Sequence, residues 1–94
     1  MRPMMPSDLD MAVRVLLAVP ADQRRSTAWR LVARARIADA FRRQSGRIHH
    51  EFGTGTILAS AMGFARADLP DTCDGRYRSA LAVFLEVCRV MNVP

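Results

Sequence analysis

The stretch from Ala21 to Ser45 reads as one long helix with Gly46 as its stop, and in a 94-residue chain that element dominates any fold. Projected at about 100° per residue, its side chains sort into four strips. Trp29, Ala33, Ile37, Ala40 and Phe41 share one face, and Ala28, Leu31, Ala35 and Ala38 lie roughly opposite. Arginines fill the flanks: Arg25, Arg36 and Arg43 on one side, Arg30 and Arg34 on the other. A helix with two opposed apolar seams is either sandwiched within a bundle or shared between subunits. The alanine seam allows close helix–helix approach, so Ala28, Leu31, Ala35 and Ala38 are the candidate oligomer interface.

Three further helices are expected around it, and no strand. The first runs from Asp8 to Val19, with Ser7 as cap, Asp8 and Asp10 in the first turn, and Leu9, Val13 and Leu16 on the buried face. Pro20 ends it or starts the next. The third is short, from Thr56 to Arg66, capped by Thr54 or Thr56, with Ile57, Leu58, Ala61, Met62 and Ala65 as its apolar side. The fourth runs from Asp74 to Asn92 and buries Tyr77, Ala80, Leu81, Phe84, Val87, Cys88 and Met91. The expected fold is all-α: a single helical domain over 1–94, about four helices with a long central one, in a bundle or hairpin that self-associates. One modest core at this length is often supported by self-association.

Charge is distributed unevenly. All 14 basic residues are arginine, and the net charge is +5. The arginine preference, with many alanines, suits a GC-rich genome. Between Pro20 and His50 stand eight arginines, at 24, 25, 30, 34, 36, 42, 43 and 47, opposed by Asp22 and Asp39 alone, so this segment carries +6 and the remainder −1. Such asymmetry suggests an anionic partner, with nucleic acid the first candidate and Arg24, Arg25, Arg30, Arg34, Arg36, Arg42, Arg43 and Arg47 as its contacts. A solvated basic face and an acidic protein partner are the alternatives. With no convincing helix-turn-helix, DNA binding should be weak, directed to phosphate and salt-sensitive rather than base-reading.

Other chemistry finds little support. His49-His50-Glu51 is not a chelate by itself, and Cys73 and Cys88 lack the spacing of a zinc pair. Gly53-Thr54-Gly55-Thr56 lacks the lysine of a phosphate loop and the preceding strand of a dinucleotide site. The glycines instead suit positive φ in a tight turn, with His49 and Phe52 packed in it. No metal, no cofactor and no catalysis are expected. The N-terminal residues do not read as a signal peptide. No apolar run approaches the ~18 to 20 residues of a membrane helix. The expected location is cytoplasmic.

Two segments carry a resemblance: Ala12-Val13-Arg14-Val15-Leu16-Leu17-Ala18-Val19-Pro20 with the arginine- and alanine-rich helix after it, and Gly46-Arg47-Ile48-His49-His50-Glu51-Phe52-Gly53-Thr54-Gly55-Thr56-Ile57-Leu58-Ala59. Together they resemble a family of short alphaproteobacterial proteins with a His-x-x-aromatic-Gly-x-Gly-Ser/Thr-Leu stretch between two helices. That group includes the small terminases of Rhodobacter-type gene transfer agents. The chain departs from the pattern at Ile57, inserted before Leu58, and at His50, where proline is common. The resemblance implies a non-enzymatic DNA-packaging subunit. Such a subunit would form a homo-oligomer, a ring of helical subunits, engage double-stranded DNA without strong sequence preference, and hand it to the large terminase. The competing readings are a small helical transcriptional regulator and a protein-binding adaptor without a nucleic-acid role.

Overall fold

Periodicity in the chain translates into four α-helices in a computed structural model that describes residues 3–93. Met1, Arg2 and Pro94, the ends of the expected 1–94 domain, lie outside the described residues. The helices are α1 (Pro6–Leu17), α2 (Arg24–Ser45), α3 (Ile57–Ala61) and α4 (Gly75–Val90). The fold is all-α. The one β-type pairing among the described residues is an isolated bridge between His49 and Gly53.

α1 starts two residues before the expected position, and its cap is Met5 rather than Ser7. Pro6 needs no hydrogen-bond partner at the first helical position, and Asp8, two residues on, reaches back to accept the Met5 N–H at 2.7 Å. Ser7 is therefore an exposed residue of the first turn. The buried face is broader than expected: Met11, Ala12 and Val15 join Val13 and Leu16, while Leu9 is half-buried. After Pro20 the chain makes one 3₁₀ turn, Ala21–Gln23, and only then enters α2, so the long helix begins three residues later than the periodicity suggests. Its end is as expected: Gly46 takes the left-handed conformation (φ +71°) and donates to the Arg42 carbonyl at 2.8 Å.

α3 is capped by Thr56, whose Oγ1 accepts from the Ala59 N–H at 3.1 Å. It stops at Ala61, five residues short of the expected end. There the chain closes into tight turns through Gly63, and the Arg66 guanidinium takes the Ala61 carbonyl at 2.9 Å. Ile57 and Ala61 are buried, but Leu58, Met62 and Ala65, expected on the apolar side, are exposed. α4 is capped by Asp74, which accepts the Arg76 N–H at 2.8 Å. Its apolar face is as expected: Tyr77, Ala80, Phe84, Val87 and Cys88 are buried, with Leu81 and Met91 packed at the margin.

The core lies where α1, α2, α3 and α4 meet, around Phe84, Leu16, Leu31 and Ile57. Polar ties run between the layers. Ser60 donates to the Leu31 carbonyl at 2.9 Å, linking α3 to α2. The Tyr77 hydroxyl donates to Asp10 at 2.9 Å, linking α4 to α1. Arg14 and Ala67 exchange two bonds, the Ala67 N–H to the Arg14 carbonyl at 2.9 Å and Arg14 Nε to the Ala67 carbonyl at 2.8 Å, which pins the loop after α3 onto α1. Among the described residues every buried side-chain nitrogen and oxygen has a partner, as a small core requires.

Candidate interaction face and the glycine turn

α2 has two apolar seams, and the fold uses one. Ala28, Leu31, Ala35 and Ala38, expected as an oligomer interface, are each 0% exposed within a single chain. The correction has a steric cause: small side chains let neighbouring helices close on α2, and α1, α3 and α4 occupy that side. The opposite seam faces solvent, with Trp29 46%, Ile37 51% and Phe41 37% exposed, and with Ala33 and Ala40 half-buried between them.

Arginines line both sides of this open seam, as the projection requires, but several have structural partners. Arg24 Nε donates to the Leu16 carbonyl at 3.1 Å, at the C-terminus of α1. Arg36 donates to the Met91 carbonyl at the end of α4. With Arg66 on Ala61, three helix C-termini are thus held by a guanidinium from outside the helix, where carbonyls lack intrahelical partners and the helix dipole favours a cation. Arg30 lies 5.3 Å above the Phe64 ring, and Arg34 lies 4.8 Å from Phe64 and 5.2 Å from Phe52. These are cation–π distances. Arg43 pairs with the buried Asp39 at 2.8 Å, within one helical turn. Arg25 is exposed beside Glu86, whose carboxyl is held below its ordinary range by Arg89 first and Arg25 last. Arg42 is half-buried in the last turn of α2, and Arg47 is exposed just beyond it. The eight arginines therefore divide between the two flanks and the two ends of α2 instead of forming one continuous patch.

The segment after Gly46 is built by its glycines and His49. His49 and Gly53 exchange backbone hydrogen bonds, Gly53 N–H to His49 at 3.0 Å and His49 N–H to Gly53 at 3.2 Å. Inside this turn His49 Nδ1 accepts from the N–H groups of Glu51 and Phe52, both at 3.1 Å. The imidazole is stacked on Phe52 at 4.6 Å and meets the edge of Phe41 at 5.2 Å. Gly53 (φ +84°) and Gly55 (φ +97°) are left-handed and tightly approached. A Cβ on Gly53 would stand 2.7 Å from the Ala59 Cβ, and one on Gly55 would stand 2.8 Å from the Asp39 Cα. Glycine at 55 thus lets the loop backbone lie directly on α2. His49, Phe52, Gly53 and Gly55 do hold a structural turn in this geometry.

Among the described residues no three His, Cys, Asp or Glu side chains are placed to share a metal ion. Cys73 is exposed, and Cys88 is buried, which pushes its thiol up to about 11, where it is a poor nucleophile at neutral pH. Among the described residues no helix is long and apolar enough to cross a membrane. The groups that sequence reasoning missed are Asp8, whose second oxygen accepts the Leu58 N–H at 2.9 Å, and the carbonyl-holding arginines. Asp8 and Arg36 find their partners fifty or more residues away, and Arg24 reaches Leu16 only because the chain turns back between α1 and α2, so no helical periodicity marks them.

No curated protein and no solved structure matches the chain. A family model described as Domain of unknown function (DUF7742) matches residues 2–88, so with most of its length covered the chain belongs to that family.

Proposed function

We propose that the protein is a non-catalytic helical adaptor for DNA packaging, of the small-terminase kind. In this reading it contacts duplex phosphate through α2 and the residues just after it, and passes DNA to a large terminase in the cytoplasm. The observation that carries the reading is the +6 segment between Pro20 and His50, most of which is α2, with one face buried in the core and arginines distributed along its flanks and at its ends. Arginines bound to carbonyls keep their charge, so Arg24 and Arg36 still contribute to the field around α2. Self-association, which the resemblance implies, must use a surface other than the alanine seam.

Binding to two unrelated duplexes at several salt concentrations tests this. Similar affinities for both and a steep loss with salt are expected, since each neutralised phosphate releases counterion. Replacing Arg25, Arg42 and Arg47 with glutamine should weaken both alike and flatten the salt slope. Strong preference for one duplex would favour the transcriptional regulator, and no binding at low salt would remove DNA from the function. A second reading, a protein-binding adaptor, is favoured by the solvent-facing seam of Trp29, Ile37 and Phe41, which has no use in phosphate contact.

A further inference from the structure

The open seam of α2 has a shape and a charge pattern that select its occupant. Trp29, Ala33, Ile37 and Ala40 follow one another at helical intervals. With Phe41 they make an apolar strip about 18 Å long, from the ~1.5 Å rise per residue. Ala33 and Ala40 leave shallow places between the larger side chains, into which the side chains of a second helix can fit at close interaxial distance. A depression beside Trp29, lined by Asp22, Arg25, Ser26 and the indole, adds a pocket at one end. Along the sides run Arg25, Arg36 and Arg43, and Arg30 and Arg34. Acids do occur near this face, namely Asp22 at its start, Glu86 beside Arg25, and the buried Asp39 paired with Arg43. They are outnumbered.

We infer that this face docks an amphipathic helix of another protein, one whose apolar stripe is bordered by Asp and Glu. A second copy of the chain fits poorly. A two-fold axis across the helices would set the Arg25–Arg36–Arg43 flank against itself, and one along them would set it against Arg30 and Arg34. Either arrangement opposes like charges along the whole contact. Duplex DNA would meet indole and aliphatic carbon at the middle of the face, where phosphate finds no donor. A lipid surface calls for a broad apolar face, and this strip has two alanines among its five residues. The apolar seam itself has no use in the DNA-packaging reading, although the flanking arginines serve both, so Ile37→Gln rather than an arginine variant separates the two.

Trp29 is the sole tryptophan, so its emission reports on the seam directly. The probes are a synthetic amphipathic helix with a leucine stripe flanked by glutamates, and the same peptide with lysines in their place. The acidic peptide should shift Trp29 emission to the blue and shield it from acrylamide, saturably, and the lysine peptide should not. Ile37→Gln, which keeps charge and helix propensity, should weaken the acidic peptide at least tenfold while leaving duplex DNA binding within about twofold. Arg25→Gln should weaken the peptide more modestly, and circular dichroism on both variants establishes that they fold. The inference is overturned by equal responses to the two peptides or by no response. It is also overturned by a blue shift that grows with protein concentration alongside a doubled mass in light scattering, which makes a second copy the occupant. The same blue shift from a short duplex or from phosphatidylglycerol vesicles would hand the face to nucleic acid or to lipid.

Discussion

The carboxylate of Asp8 accepts the backbone N–H of Leu58 at 2.9 Å across fifty residues of sequence, while its other oxygen holds the N–H of Met5 at 2.7 Å. One buried side chain, 3% exposed, therefore serves the first turns of both α1 and α3. Helix N-termini leave N–H groups without partners and favour negative charge, so a carboxylate between two of them satisfies both at once.

Asp8→Ala should be among the more destabilising single changes in the chain. Two N–H groups lose their acceptor, at about 1 to 3 kcal/mol for each that stays buried. A loss of roughly 2 to 4 kcal/mol in urea unfolding is expected. Asp8→Asn retains one acceptor oxygen and should lose less. Equal, small losses in both would show that water replaces the carboxylate at Leu58.

The three left-handed glycines should rank by what a new Cβ meets. Gly46→Ala has nothing within 4 Å and should cost only the left-handed backbone, about 1 kcal/mol. Gly53→Ala adds a clash with the Ala59 side chain, and Gly55→Ala adds one with the backbone of α2 at Asp39. Backbone within a packed helix yields least, so thermal melts should order the losses as Gly55 greatest, Gly53 next and Gly46 least. The His49 turn should loosen with Gly53→Ala, visible as faster amide exchange at Glu51 and Phe52, whose N–H groups Nδ1 holds.

Arg24→Gln should lower the melting temperature, because it removes the guanidinium from the Leu16 carbonyl, a bond worth about 1 kcal/mol. Arg25→Gln and Arg47→Gln remove the same charge from exposed positions and should leave stability within about 0.5 kcal/mol. Comparing urea midpoints of the three variants separates arginines that build the fold from those available to a partner.

Alkaline pH should weaken the protein. Burial pushes the Cys88 thiol from its ordinary 9.0 up to about 11. The hydrogen bond to Asp10, then burial, raises the Tyr77 phenol above its ordinary 10.0. Each group holds its proton more tightly folded than unfolded. The Cys88 contribution to stability is therefore present below pH 9 and lost as pH rises from about 9 through 11, and that of Tyr77 is lost only as pH rises above 10. Urea midpoints measured at pH 8, 9 and 10 should decline, and Cys88→Ala should remove part of that decline. At neutral pH iodoacetamide should label the exposed Cys73 first, with Cys88 reacting only on unfolding.

The four helices, the stop of α2 and the cap region of α3 were legible in the sequence because they rest on short-range physics. The spacing of Tyr77, Ala80, Phe84, Val87 and Cys88 marks the buried face of α4, Gly46 marks the end of α2, and Thr56 is one of the two threonines placed to cap α3. Gly53 and Gly55 likewise announced a tight turn. The sequence could not say which seam of α2 would be buried, because both are apolar at the same helical period. Only tertiary packing decided that: the alanine seam accepts α1, α3 and α4 at close range, and the bulkier Trp29, Ile37 and Phe41 are left to solvent. The same holds for Asp8 and the arginines. In the sequence they are charges suited to a helix end or a flank; in the fold, Leu58, Leu16 and Met91 arrive beside them as hydrogen-bond partners. Local order follows from each residue and its near neighbours, whereas the choice of face and partner depends on how all four helices fill one small volume together.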